Sequence, residues 1–401
     1  MIRSPRDVLE YASSVPPPRR PWVFAVEPTA LQVTWRALGP GLLRWRCADA
    51  TVEVDADGGP GAVVLDGLPP DTDLVLELDG DGAVHADRRG RTVPVPRHWR
   101  RQAVHTLAHP PGDELFRFAT ISDLHIGAVA FGFRALMVER PVPDEPHPVR
   151  ATRAALDELT RWGAQLVLIK GDLTDRGRAR DWDLVGRVLA DATIPVEMLP
   201  GNHDHYGLPN DPDPYEALAH LGHEMRRHVT EIDVPGLRLV LVDSTDAGKG
   251  GGHLAHHQRA TVDALRSTDL PAFVTTHHYA QRLPFPTFWP PGIPSPEANA
   301  FLEAVIDAQP ASMFTSGHTH RHRRRHLGPL VLSEVGSPKD FPGTWAGYVV
   351  HEGGIRQVVR RVSRPDVLRW TDRSSRAALG LWGRWSPGVL SHRCFVHPWP
   401  R

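Results

Sequence analysis

The sequence predicts an α/β domain on a substantially parallel sheet, preceded by a small all-β sandwich. Three observations carry this. Residues 22 to about 95 read as short alternating strands punctuated by Gly, Asp and Pro; residues 94 to 112 turn to Pro, Arg and His; and from Leu115 apolar strands alternate with helical stretches. At 401 residues the chain exceeds one average domain, so two folded units are expected.

Taken in order, residues 1–20 are a Pro/Arg-rich leader without the apolar core of a signal peptide, read as flexible. The segments "WVFAVEP", "ALQVTWRAL", "LLRWRCA", "TVEVDAD", "GAVVLDGL" and "DLVLELDG" alternate apolar and polar residues, which places an antiparallel sandwich over residues 21–96. "VTWRA" followed by "LDGLPPDTDLVLEL" resembles a fibronectin type III module, with Trp35 as core packing. Residues 97–112 read as a linker.

The second domain is expected over residues 113–363. "LFRFATISD" is a near-continuous apolar strand, "HPVRATRAALDELTRWG" has helical periodicity closed by a Gly, and "AQLVLIKGD" is a second buried strand. A helix over "ARDWDLVGRVLADA" leads to "IPVEMLPGN", and further strands follow at "LRLVLVDST", "PAFVTTHH", "ASMFTSGH" and "LVLSEVGS". Residues 364–401 carry several Trp residues, and their apolar content predicts docking on the body as a helix and a coil. A partner surface or a homo-oligomer interface is the alternative reading of that segment.

Composition narrows the function. Hydrophobic residues at 41%, charged residues at 23% and a net charge of -1 are ordinary globular values and give no general case for nucleic acid or membrane partners. The two cysteines, Cys47 and Cys394, argue against a disulfide framework and against a thiolate metal site, which fits a reducing cytoplasm. No apolar run approaches the roughly 20 residues that span a bilayer. The 23 His and 39 Pro are high counts, so position has to decide what the histidines do.

Position is informative. Five strands end in groups that bind metals or move protons: Asp123 and His125 in "ATISDLHIG", Asp172 and Asp175 in "LVLIKGDLTDRG", Asn202, His203 and Asp204 in "VEMLPGNHD", His277 and His278 in "AFVTTHH", and His318 and His320 in "MFTSGHTH". Any one could be a helix cap, a turn or a hydrogen-bonded core histidine. In an open α/β sheet, however, the ligand crevice lies outside the carboxyl ends of the strands, so all five reach one rim. Asp, Asn and His without Cys suit iron, manganese or zinc. Gly171, Gly201 and Gly317 let the backbone turn close to the cluster.

The ordered set "DLH", "GDLTD", "GNHD", a strand-end His and "GHTH" resembles the calcineurin-like metallophosphoesterase superfamily over roughly residues 115 to 350. That resemblance implies a four-layer α/β/β/α sandwich with two metal ions at the strand ends. Carried over by motif, Asp123, His125 and His320 hold the first metal, Asp172 bridges both, and Asn202, His277 and His318 hold the second, with His278 the rival to His277. The pair acidifies a bridging water to a hydroxide that attacks the phosphoryl group in line. His203 then stabilises the transition state or protonates the leaving oxygen, oriented by Asp175, while Asp204 supports the loop.

The substrate is a small phosphate ester. Arg176 in "TDRG" is a candidate phosphate contact, and Phe288 and Trp289 in the Pro-rich stretch 282–296 could stack a base. "DLH", "GNHD" and "HH" look most like the cyclic-nucleotide and glycerophosphodiester phosphodiesterases, which favours a diester. A phosphomonoesterase or nuclease of the same superfamily stays open, as does a catalytically inactive metal-binding scaffold. "HRHRRRHLGP", from His320, reads as a solvated basic hairpin.

Overall fold

The computed structural model describes residues 20–400 apart from 88, 133–136, 140–144 and 286–289. Two six-stranded sheets form its body. In the first, the spatial order is Val196–Leu199, Val167–Lys170, Glu114–Ile121, Thr344–His351, Gly354–Arg361 and Phe395–Pro398. The first three of these strands run parallel and the rest pair antiparallel. In the second, Val229–Val234 and Arg323–Leu327 are antiparallel edges around the parallel strands Leu237–Val242, Ala272–Thr275, Ser312–Ser316 and Leu330–Glu334.

Strand periodicity divides the core into layers, because successive side chains leave opposite faces of a sheet. Along one strand, Ala119 and Ile121 face the helices His147–Arg161 and Ala179–Leu189, packing with Leu156, Leu159, Trp182 and Val185. Phe118 points the other way, into an apolar layer shared with Leu239, Phe273 and Met313 of the second sheet. There the Phe118 ring lies 5.0 Å from both Phe273 and Tyr348. The far face of the second sheet is covered by the helices Gln258–Arg266 and Ser295–Ala308 through Leu265, Phe301 and Val305. The expected α/β/β/α layering is therefore present.

The all-β region is also present. A three-stranded sheet (Trp22–Val26, Ala30–Trp35, Gly61–Asp66) faces a four-stranded one (Ala50–Asp57, Pro40–Cys47, Asp73–Asp79, Arg101–His105) across a core in which Trp35 stacks on Trp45 at 5.7 Å. The strand Arg101–His105 lies inside the stretch read as a linker. Its alternation is only five residues long and is blurred by an inward polar Gln102 and an outward Ala103, so a Pro- and Arg-rich neighbourhood hid it.

The all-β region is clamped to the first sheet by buried charge. Glu27 accepts hydrogen bonds from Arg360 Nε at 2.8 Å, Trp162 Nε1 at 3.2 Å and Arg356 Nη2 at 3.3 Å. Gln32 exchanges two 2.8 Å bonds with the Arg361 backbone, and the Arg361 guanidinium pairs with Asp372 of the helix Pro365–Ser374. The C-terminal segment goes further than a helix and a coil, since Phe395–Pro398 completes the first sheet against Gly354–Gln357. Cys47 and Cys394 are free and buried, and no described helix is long and apolar enough to cross a membrane.

Candidate metal centre

Both sheets direct the carboxyl ends of their parallel strands to one place. From the first come Asp123 and His125 after Ile121, Asp172 after Lys170, and Asn202 and His203 after Leu199; from the second come His277 after Thr275 and His318 and His320 after Ser316. The strand-end loops are laced together by main-chain bonds, Asp123 N–H to Gly171 O at 3.0 Å, His125 N–H to Asp172 O at 2.9 Å and Gly317 N–H to His277 O at 3.0 Å. Lys170, fully buried beneath them, ties the sheets by donating to Ser316 O at 2.9 Å and Thr315 Oγ1 at 3.2 Å. Burial pushes its ammonium down to about 7, with Asp123 opposing.

These loops are held in unfavourable backbone. Asp123, His125, Asp172, His318 and His320 have φ of 58°, 47°, 52°, 67° and 51°. The left-handed region is uncommon for such residues and costs about 1–3 kcal/mol at each position, a pattern that gathers at functional sites. Close approach is built in as well: a Cβ on Gly201 would stand 2.2 Å from Asp172 Oδ1, and one on Gly317 would stand 1.8 Å from Ser122 Oγ.

Two foci of donor atoms result. At the first, His320 Nε2 lies 3.1 Å from His125 Nε2 and 3.4 Å from Asp123 Oδ1. His320 Nδ1 is engaged by Asp340 Oδ2 at 2.7 Å, which leaves the Nε2 lone pair facing the focus. At the second, His277 Nε2 lies 3.2 Å from both Asn202 Oδ1 and His318 Nδ1. Its Nδ1 donates to Lys170 O at 2.7 Å, fixing the same tautomer. Asp172 Oδ2 stands between the foci, 3.5 Å from His125 Nε2 and 3.5 Å from His277 Nε2.

The groups Asp123/His125/His320, Asp123/Asp172/His277, His125/Asp175/His203 and His277/His278/His318 each offer ligand atoms within 4.8 Å of one another. Among the described residues, His318 Nε2 and His125 Nδ1, the ring nitrogens opposite those facing the foci, have no hydrogen-bond partner. Nitrogen lone pairs brought this close, with carboxylates between them, fit cations. Burial opposes protonation of His277, yet Asp172 beside it raises the imidazole to about 9; burial and then His277 drive His318 down to about 3. Asp172 is held well below the carboxylate range by His277 and His203 although burial opposes this.

The structure places the remaining expected residues around these foci. His278 is fastened to Ser244 Oγ through Nδ1 at 2.9 Å, and it is His277 that meets Asp172 and Asn202. Asp204 accepts from Thr174 N–H at 2.8 Å and Gly201 N–H at 2.9 Å, a loop-fastening role. The pairing of His203 with Asp175 runs through the Asp175 main-chain oxygen, 2.8 Å from His203 Nδ1, whereas the carboxylate lies 3.6 Å from His125 Nδ1. The two residues occupy adjoining loops, so carbonyl and carboxylate face different histidines. Arg176 sits on the rim, its side chain 62% exposed and 3.6 Å from Asp175. Phe288 and Trp289 lie outside the described residues. The basic hairpin is less solvated than expected, because Arg321 and Arg325 pair with buried Glu334 at 3.2 and 2.9 Å.

Sequence reasoning missed Lys170, Ser337, Lys339 and Asp340. The last three follow the strand Leu330–Glu334, a sixth strand end whose sequel "VGSPKD" obeys the same rule as the other five.

With this geometry in view, a profile of the calcineurin-like phosphoesterases matches residues 116–322. The chain belongs to that family. The chain is 26% identical over 175 residues to a probable cyclic nucleotide phosphodiesterase of Psychrobacter arcticus, covering 42% of this chain and 61% of that protein. It is 30% identical over 120 residues to the glycerophosphodiester phosphodiesterase GpdQ of Enterobacter lignolyticus, covering 28% of this chain and 41% of that one. It thus spans less than two thirds of either curated relative. Among solved structures, a dimetal phosphatase from Danio rerio superimposes with a TM-score of 0.48 at 14% identity, over 62% of this chain and 97% of that one.

Proposed function

We propose that this calcineurin-like phosphoesterase is a metal-dependent phosphodiesterase acting on a small anionic ester. The observation that carries the reading is the convergence of Asp123, His125, Asp172, Asn202, His277, His318 and His320 on two foci joined by Asp172. Asp123, His125 and His320 would hold one ion, Asn202, His277 and His318 the other, with Asp172 shared between them. Two Fe, Mn or Zn ions bound there would supply an activated water and neutralise phosphoryl charge.

The chain's own groups do the rest. His203 donates Nδ1–H to the Asp175 carbonyl, which orients the ring, and the imidazolium form would pass its Nε2 proton to the departing ester oxygen, leaving the neutral Nδ1–H tautomer. Asp340 and the Lys170 carbonyl keep the ligand histidines in the tautomer that presents Nε2. The diester preference is supported by the "DLH", "GNHD" and "HH" pattern and by the names of the two curated relatives. The three- plus four-stranded all-β region supports a fibronectin type III kinship, and two buried free thiols support a cytoplasmic setting.

The test is hydrolysis of bis(p-nitrophenyl) phosphate beside p-nitrophenyl phosphate by protein stripped of metal and reloaded with manganese. Manganese-dependent turnover with the diester ahead is the expected result. A monoester preference would turn the reading to a phosphatase, and no metal-dependent turnover of either would sink it.

A further inference from the structure

Lysine is rare here. Against a total of 46 Lys and Arg the chain has three lysines, Lys170, Lys249 and Lys339. Lys249 is an exposed partner of Asp246, and Lys170 is the bonded strut between the sheets. Lys339 is the odd one: it is 7% exposed, yet among the described residues no carboxylate pairs with its ammonium. Among the described residues its ammonium lies over the ring of Phe131, 5.7 Å away, and acts on the Asp175 carboxylate only from beyond ion-pair distance. A ring face offsets part of the desolvation of a buried ammonium but supplies no anionic acceptor.

The main chain around Lys339 is anchored to the metal centre on both sides. Its N–H donates to Ser337 Oγ at 3.0 Å, and that hydroxyl donates to the carbonyl of Asp123 at 2.7 Å. The next residue, Asp340, orients His320 at 2.7 Å. The Lys339 carbonyl accepts from buried His147 Nε2 at 2.6 Å, so the segment has little freedom. The side chain shares a wall with Phe131, which meets Trp382 at 5.8 Å, and Trp382 in turn lies 6.4 Å from His320.

We propose that Lys339 is a phosphoryl-binding residue of this site, its ammonium taking an anionic oxygen of the substrate and so selecting charged phosphate esters over neutral ones. The unpaired cation is then satisfied by the ligand, and the Ser337–Asp340 segment couples that contact to the ligands Asp123 and His320. This rests on the phosphoesterase reading, and it assigns to Lys339 the role that Arg176, on the rim, is poorly placed to fill.

The experiment measures binding of inorganic phosphate by calorimetry to manganese-loaded wild type, Lys339→Met and Lys339→Arg, with metal content and melting temperature beside it. Lys339→Met should bind phosphate about tenfold or more weakly with both metals retained, the loss expected of one charge-assisted hydrogen bond. Lys339→Arg should stay within about threefold of wild type, because the charge is restored. Equal affinity in wild type and Lys339→Met overturns the proposal, and so does failure of Lys339→Arg to rescue a folded, metal-loaded protein.

Should Lys339→Met not fold, acetylation of wild type decides by mass spectrometry, with Lys249 as the internal control. Phosphate should slow labelling of Lys339 alone, and equal labelling with and without phosphate overturns the idea. Phosphate binding with no turnover of either p-nitrophenyl ester would count against the phosphoesterase reading and leave the Lys339 comparison intact.

Discussion

At the seam between the all-β region and the first sheet, buried carboxylates are paired with cations: Glu27 meets Arg360, Arg356 and Trp162, and Arg361 meets Asp372, Gln32 and Thr34, although Arg356 Nε has no hydrogen-bond partner among the described residues. At the strand ends the charge is just as deeply buried, but among the described residues His125 Nδ1, His278 Nε2, His318 Nε2 and Asp340 Oδ1 lack hydrogen-bond partners, and five of the candidate ligands sit at positive φ. Burial alone therefore does not mark a site here. What separates the two clusters is how charge is matched: the seam sets guanidinium groups against carboxylates, whereas the strand ends hold strained backbone around imidazole nitrogens that face one another, His125 Nε2 and His320 Nε2 at 3.1 Å and His277 Nε2 and His318 Nδ1 at 3.2 Å, a set of lone pairs that suits a cation.

The comparison breaks most easily at Asp172, the carboxylate common to both foci. Asp172→Asn keeps the shape but gives up the charge facing His125 and His277, so hydrolysis should fall by about 10³-fold or more, with metal content lowered. Elemental analysis beside a rate assay reads both. Next comes His203, bonded to a carbonyl and outside both foci. His203→Ala should cost about 10²–10⁴-fold in turnover with metal retained. Metal loss equal to that of Asp172→Asn would show that His203 belongs to the ligand set.

At the seam the same kind of change should act on stability and leave chemistry alone. Glu27→Gln removes the charge that Arg356 and Arg360 share, and breaking such a buried pair costs about 3–5 kcal/mol of stability. Burial works against the Glu27 carboxylate, but Arg360 and Arg356 hold its pKa below the ordinary 4.5. A folded pKa below the unfolded one means the stabilisation is present above 4.5 and fades as the pH falls through the folded value. Melting temperatures of wild type and Glu27→Gln should thus differ at pH 7 and converge in acid, with turnover per folded molecule unchanged.

The site was more legible than the seam because its residues recur at strand ends, where sequence position and spatial position coincide. Asp123, Asp172, Asn202, His277 and His318 need no tertiary knowledge beyond the rule that parallel strands share a rim. Glu27 and Arg361 are hundreds of residues apart from partners on another element, and nothing local announces them. Lys170 hid inside an apolar run, and Lys339 was passed over because a Pro-containing turn in "GSPKD" has an adequate local explanation. The reach of Asp175 was misjudged for a related reason: spacing brings its residue to His203, but only backbone geometry decides whether carbonyl or carboxylate makes the contact.

The smallest effect expected is also the one that sharpens the comparison most. Asp340 is buried, with one oxygen on His320 and the other without a partner among the described residues, so it sits between the two kinds of cluster. Asp340→Asn can still accept from His320 Nδ1 but no longer supports it with a negative charge. If Asp340 serves the metal centre, affinity for manganese should fall by about 10–100-fold, the range for such supporting carboxylates, with the melting temperature of metal-free protein nearly unchanged. If it is instead part of the packing, the metal-free protein should lose stability as Glu27→Gln does and the affinity of what remains folded should hold. Titrating manganese into both variants, followed by metal-free melts, separates these cases, because a residue of the seam and a residue of the centre move opposite readouts.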